Sequence, residues 1–546
     1  MKLAQVRANF QGLDLASLCY ALIQPGAEGL IMKRRDFIAL VAASAGSTYA
    51  AMTALDLLAR PVGATGKFQL SGESKGKKIV ILGAGIAGMS AAYELGKIGY
   101  DCTILEARSR AGGRCWTVRK GTTETEIDGQ QQVAAFDDGL YFNPGPARIP
   151  QHHLTLDYCK ELGVPIEVFT NVNEAAYYYN EDVGSLSGQR VRIRTAKADM
   201  RGYMTELLAK AVNKDALDMP LTKEDKEKLI EFLQKEGDLS PDMFYKGSSR
   251  RGYSVLPGAG LQPGEKEDPY DMKALIQAGF GGYFRSEYDI NQQMQMFQPV
   301  GGIDQIAKAF ERQVGNKITY QAEVKEIRKT PTGVRIAYTD KTGKPQEITG
   351  DYCICTIPLS VLKSIPADFS PEMQAAISGV AYEATGKIGL QFKRRFWEED
   401  DRIFGGISRT NQNITQIFYP SSGYLSPKGI LVGYYNFEET AEEMADLSLA
   451  ERQVRALQEG GKIHPQYEQE FETSFSVAWH KLKYNLGGWA SYTTEVRDNL
   501  YPRLNEPDGS IYLAGEHLSY YTGWIAGALE SMRKVVVALH TQVQSG

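Results

Sequence analysis

Three glycines and an acid supply the first chemistry legible in this chain. Gly83-Ala84-Gly85-Ile86-Ala87-Gly88 fills the spacing GxGxxG, and Glu106 stands downstream of it, at about the 20-residue distance a ribose-binding acid requires. An apolar run, residues 79–82, precedes the glycines, a helical pattern runs from Met89 to Lys97, and a second run, DCTILE, ends on Glu106. Strand, glycine turn, helix and strand in this order fit the pyrophosphate of a dinucleotide. Gly83 allows the tight turn, Gly85 lets backbone approach phosphate, and Gly88 lets the helix pack on the strand. The free N–H groups of the helix N-terminus face the phosphates, and Glu106 accepts hydrogen bonds from ribose hydroxyls. Arg110-Ala111-Gly112-Gly113-Arg114 follows, a cationic, close-approach stretch able to neutralise pyrophosphate.

A second candidate is Arg148, in the turn-rich loop YFNPGPARIP. Either its stem packs on the loop at the surface, or its fork meets a carboxylate. Lys387 lies in a run that alternates towards Ile388, Leu390 and Phe392. It is either a strand-end surface lysine or a buried ammonium, and the latter needs a partner or a purpose. His152 and His153 read as caps of the following helix rather than as acid–base groups.

The glutamate followed by RxGGR resembles the signature of the flavin amine oxidase family, and two later segments agree with it. FQPVGGIDQIAKAF is similar to the family's double glycine before a helix, and IYLAGEHLSYYTGWIAGALE to its C-terminal strand, loop and helix. The resemblance runs from Lys77 onward and implies non-covalent FAD. It implies contacts to that cofactor from Gly83, Gly85, Ile86, Ala87 and Gly88, from Glu106, Ala107 and Arg108, and from Gly113 and Arg114. Gly145, Pro146, Ala147 and Arg148 join them, as do Val324 beside adenine, Gly515 and Glu516, and Gly523, Trp524, Ile525 and Ala526.

Within the family, GPARIPQHH resembles the L-amino-acid oxidases. That resemblance assigns Arg148 to the substrate carboxylate, with the Tyr434 hydroxyl assisting. It assigns Lys387 to a water near the flavin and makes Lys387 and Trp524 the catalytic pair. Monoamine oxidases carry a flavin-linking cysteine where this chain has Trp489; Trp489, Gly523 and Trp524 would line the substrate pocket. The activity implied is oxidative deamination of L-amino acids by O2 to 2-oxo acids, ammonia and hydrogen peroxide. An amino-acid 2-monooxygenase and an amine or polyamine oxidase are the alternatives.

These groups need elements to hold them. A length of 546 residues predicts two or three domains. The expected fold class is α/β: a Rossmann-like FAD-binding domain from residues 76–132, 296–356 and 496–546, a mixed α/β substrate domain from 133–194 and 357–495, and a helical insertion over 195–295. The insertion carries two amphipathic stretches, DMRGYMTELLAKAV and TKEDKEKLIEFLQKEG. A net charge of −5, with 43% hydrophobic and 23% charged residues, excludes a nucleic-acid-binding surface. No cysteine lies in a CxxC pair, so a zinc site is not expected. From Met32 the chain reads as a twin-arginine-type export signal (Lys33, Arg34 and Arg35, then an alanine-rich apolar run), followed by a linker to about residue 75. That predicts a periplasmic or secreted protein without stable membrane association. The family resemblance implies a homodimer.

Overall fold

KIVIL, Lys78–Leu82, is apolar without interruption after its first residue, and four of its five residues are buried. Such a run belongs in a strand covered on both faces. In the computed structural model, which describes residues 68–217, 219–284 and 289–545, that strand is the centre of a five-stranded parallel sheet. The order is Ile511–Leu513, Tyr352–Cys355, Lys78–Leu82, Asp101–Glu106, Ile318–Tyr320. Leu82 sits beside Cys355 on one side and Leu105 on the other, so these strands end level. Helix Ile86–Gly96 leaves the first strand, and helices Asp304–Val314 and Ile525–Ser545 pack against it. These elements belong to one unit, Leu70–Gly546. The export-signal reading falls outside the described residues, and among those described no helix is long and apolar enough to cross a membrane.

A seven-stranded sheet forms the second layer. Its order is Phe471–Ala478, Thr385–Phe392, Gly429–Phe437, Gln416–Phe418, Ile407–Thr410, Tyr177–Tyr179, Val191–Arg192. TGKIGLQF, the strand Thr385–Phe392, is buried at every residue. One face of this sheet, with Ile388, Leu390 and Tyr434, enters the largest aromatic core of the second layer. The other carries Lys387 and Tyr435. A β-bulge separates the two strands here: Ile388 pairs with Tyr434 and Gly389 with Val432, leaving Gly433 as the extra residue.

The two amphipathic stretches form helices Ile193–Asn213 and Lys223–Gly237, packed on each other. The second opens with a capping box made by Thr222 and Asp225. A fully buried ion pair, Arg251 to Asp199 at 2.6 Å, ties the following segment back to the first helix.

Candidate cofactor and substrate site

All five parallel strands release their chains at one edge, and a cavity of about 500 Å³ lies there. Gly83 follows the first strand, Ala107 and Arg108 the second, Thr356 to Pro358 the strand ending at Cys355, Gly515 and Glu516 the last, and Val324 lies just past Tyr320. This is the crevice outside the carboxyl ends of a doubly wound sheet where ligands bind.

The glycine turn is built for close approach. Gly83 has φ +102°, and a Cβ there would meet Thr356 Oγ1 at 2.7 Å. A Cβ on Gly88 would stand 2.0 Å from the Gly83 carbonyl oxygen, so only glycine allows the helix to sit this near the turn. The helix begins at Ile86 with no acid in its first turn, leaving its N–H groups and the positive end of its dipole towards the cavity. Gly112 and Gly113 fold over the turn; the Gly112 N–H donates to the Ala84 carbonyl at 2.8 Å. Glu106 is buried and accepts from the N–H groups of Ala84 and Arg108, both at 2.8 Å. Two of the carboxylate's acceptor positions are thereby fixed, which leaves lone pairs for hydroxyls from the cavity.

Arg114 donates to Glu516 at 2.8 Å and to the Gly488 carbonyl at 2.7 Å. Glu516 also accepts from the N–H groups of Gly523, at 3.2 Å, and Ala490, at 3.3 Å. One carboxylate thus joins the glycine-rich arm, the Trp489 segment and the loop before the last helix. Arg110 turns away: its guanidinium lies 4.4 Å from the Trp116 ring and donates to the Gly113 carbonyl. Arg114, not Arg110, is the cation of this stretch that lines the cavity.

The far end of the cavity is aromatic. Trp489, Trp524 and Tyr435 line it. Phe418 packs edge-on against Tyr435 with centroids 5.6 Å apart, and Phe437 lies 5.9 Å from Trp489. Lys387 is 3% exposed and donates to the Gly145 carbonyl at 2.5 Å, its ammonium 4.2 Å from the Tyr435 ring. Burial, and then the nearby Arg148 charge, push the Lys387 pKa down to about 7. Arg148 is half-buried. Its guanidinium covers the Phe418 ring at 5.1 Å, and Nη2 donates to Gln292 Oε1 at 3.1 Å. Burial lowers its pKa to about 10, with Arg409 adding like-charge repulsion. Among the described residues no carboxylate pairs with Arg148.

Most of the residues expected from sequence come together here. Gly83, Gly85, Ile86, Ala87, Glu106, Ala107, Arg108, Gly113, Arg114, Gly145, Pro146, Val324, Gly515, Glu516, Gly523, Trp524, Ile525 and Trp489 all line the cavity. Gly88 and Ala526 are buried behind it, supporting the turn and the last helix. Ala147, Arg148 and Lys387 do not line it: Lys387 sits behind Tyr435, and Arg148 behind Phe418, which packs on Tyr435.

Tyr434 requires correction. Its hydroxyl bonds to Ser476 Oγ at 2.9 Å, on the opposite face of the sheet, beside the buried Arg452–Glu126 pair. The Gly429–Phe437 strand places Tyr435 directly across from Lys387, so Tyr435 faces the cavity and Tyr434 the core. The histidines also differ from expectation. His153 caps no helix; its ring packs edge-on against Trp524 at 5.1 Å and bonds to Asn291 Oδ1 at 2.9 Å.

Sequence reading missed Thr356, the Lys483-Tyr484-Asn485 segment and Phe418, all at the cavity or its aromatic end. Thr356 carried a signal: it directly follows a buried run, where a parallel strand would end. Phe418 carried none, because its place depends on strand order.

The profile of flavin containing amine oxidoreductases matches residues 86–540. An L-amino-acid oxidase of Pseudechis australis is 26% identical over 480 residues, covering 84% of this chain and 86% of its own. The L-amino-acid oxidase BjussuLAAO-I of Bothrops jararacussu is 27% identical, with coverage of 85% and 90%. Among solved structures, putrescine oxidase bound to putrescine superposes with a TM-score of 0.57 at 18% identity, over 85% of this chain and 99% of that one. Cyclohexylamine oxidase from Brevibacterium oxydans IH-35A gives 0.57 at 17% identity, over 86% and 100%. At those identities the structural likeness is one of fold. With glycine backbone, a helix N-terminus and the buried Glu106 carboxylate gathered on one cavity, the chain belongs to the flavin-containing amine oxidoreductases, and FAD is its cofactor.

Proposed function

We propose that this protein oxidatively deaminates L-amino acids to 2-oxo acids, releasing ammonia and hydrogen peroxide. The observation that carries the reading is Arg148, a half-buried guanidinium with no carboxylate partner among the described residues, seated on Phe418 at the aromatic end of the cavity. A fork-shaped cation in that position suits a substrate carboxylate bound in two parallel hydrogen bonds. Tyr435, rather than Tyr434, stands where a phenol could assist. Burial pushes its pKa up to about 12, so it is a neutral donor at working pH. Trp489, Trp524 and Tyr435 line the space left for a side chain, with Phe418 and Phe437 packed against them, which favours apolar and aromatic amino acids.

Held non-covalently by the cradle residues, FAD would supply the hydride acceptor for the substrate carbon and the route for electrons to oxygen. The chain does the rest. Arg148 fixes the carboxylate and with it the face of Cα presented. The tryptophans and Phe418 exclude water. Lys387, with a pKa of about 7, exchanges a proton near neutrality at Nζ, beside the Gly145 carbonyl. Export through the twin-arginine signal and a homodimeric assembly belong to the same reading and rest on the sequence.

The test is the variant Arg148→Ala, assayed by peroxide release from L-phenylalanine and from phenethylamine. Two charge-assisted hydrogen bonds at roughly 1.5–3 kcal/mol each predict a loss of at least about 100-fold in kcat/KM for the amino acid, mostly in KM, with FAD retained. Equal activity on both compounds in the unaltered enzyme would instead favour an amine oxidase, the activity named for the fold relatives.

A further inference from the structure

Arg148 is not held by its own loop alone. Three consecutive amides, Asn291, Gln292 and Gln293, run alongside the segment that carries it. Asn291 Oδ1 meets His153 Nε2 at 2.9 Å. Gln292 Oε1 accepts from Arg148 Nη2 at 3.1 Å. Gln293 Oε1 accepts from the Gln151 N–H at 2.9 Å, and its Nε2 lies 3.4 Å from His152 Nδ1. A backbone bridge, Ile149 to Phe297, closes the zipper at its end. Within this row the one group touching the guanidinium is an uncharged carbonyl. Phe418 covers a face of the fork, and Arg148 Nε is buried without a hydrogen-bond partner. Among the described residues the fork is therefore oriented while its charge and a donor remain uncompensated.

We infer that Gln292 is a specificity-determining residue: its neutral amide orients the Arg148 fork beside the aromatic end of the cavity and leaves its charge available to an anionic substrate group, where an acid at the same position would neutralise the fork and turn selection towards amines. This rests on the proposed pairing of Arg148 with the substrate carboxylate. An amide carbonyl is a weak, exchangeable acceptor for a guanidinium, and a carboxylate from the substrate outcompetes it because that bond is charge-assisted. A glutamate at 292 is the same shape but would form an internal ion pair in a half-buried site. An incoming carboxylate would then meet a like charge and no vacant fork.

The probe is 3-phenylpropionate, a carboxylate with no amine to oxidise, titrated into the holoenzyme and read by the flavin difference spectrum. Turnover of L-phenylalanine and phenethylamine is measured alongside. Gln292→Glu is expected to weaken 3-phenylpropionate on the order of 100-fold, to raise KM for L-phenylalanine with kcat little changed, and to raise kcat/KM for phenethylamine. Gln292→Leu removes the orienting bond without adding charge, and is expected to weaken the probe by roughly threefold to tenfold. Arg148→Met is the reference and abolishes probe binding. If Arg148→Met abolishes binding while both Gln292 variants bind as the unaltered enzyme does, the role given to Gln292 is overturned alone. If Arg148→Met binds the probe unchanged, or the unaltered enzyme does not bind it, the carboxylate reading beneath it falls as well.

Discussion

Lys387 gives the most quantitative prediction. Its pKa is about 7 against an ordinary 10.5, because the ammonium is 3% exposed and stands near the Arg148 charge. The folded protein therefore binds fewer protons at this site than the unfolded chain between pH 7 and 10.5, and stability rises with pH through that window. Below pH 7 the folded state carries the full penalty of the buried cation; above 10.5 the penalty is gone. The gap of 10.5 − 7 = 3.5 corresponds to about 5 kcal/mol at 1.36 kcal/mol per unit. Methionine fills nearly the same volume without charge, so Lys387→Met removes the penalty. It also removes the 2.5 Å bond to the Gly145 carbonyl, worth about 1.5–3 kcal/mol for a charged donor. The variant should then be more stable at pH 6.5 by roughly 2–4 kcal/mol. Because the bond loss enters the intercept, the slope is the sharper test: between pH 7 and 9 the advantage should shrink by roughly 2 kcal/mol. Urea unfolding of both holoproteins in excess FAD, at half-unit pH steps, measures this. A stability difference that does not change with pH would refute a neutral-range pKa for Lys387, and with it the proton exchange assigned to Nζ.

Two further predictions separate the substrate face from the cofactor cradle. Tyr435→Phe should raise KM for L-phenylalanine several-fold, by roughly 1 kcal/mol for one lost hydrogen bond, whereas Tyr434→Phe should leave kinetics unchanged and cost about 1 kcal/mol of stability through Ser476; the reverse pattern in steady-state assays would return the role to Tyr434. Gly88→Ala puts a methyl 2.0 Å from the Gly83 carbonyl oxygen, so the purified variant should lose bound FAD, seen as a fall in flavin absorbance per protein. A full flavin complement would mean that the close packing is not what holds the turn.

These two sets of residues differ in how much of them was legible beforehand. Gly83, Gly85, Gly88 and Glu106 belong to one strand, helix and strand unit whose parts touch because they are neighbours in sequence. Their backbone demands are local, and a spacing pattern carries them. Gly515 and Glu516 were reached through the family resemblance of the strand, loop and helix around them, not through a spacing rule of their own. The aromatic end is different. Whether Tyr434 or Tyr435 faces the cavity depends on which residue lies across from Lys387, and that depends on a bulge at Gly433. One residue of slip moves every side chain of a strand to the other face, and nothing within GILVGYYNF states where the slip occurs.

The same reasoning explains why Gln292 escaped a reading that found Arg148. Arginine announces itself, because a guanidinium in an apolar loop needs a partner. Three amides at the end of a helical insertion announce nothing, since glutamine is ordinary on any polar surface. What gives Gln292 weight is a long-range contact: strand Gln295–Pro299 pairs antiparallel with Ile166–Thr170, and Phe297 bridges to Ile149, which draws residues 291–293 along the arginine loop. The insertion is thus bound to the substrate site through its exit strand. Changes at Asn291 or Gln293, neither of which touches the guanidinium, should therefore shift KM for amino acids while leaving FAD binding alone, because they act on the position of the loop and not on the cradle.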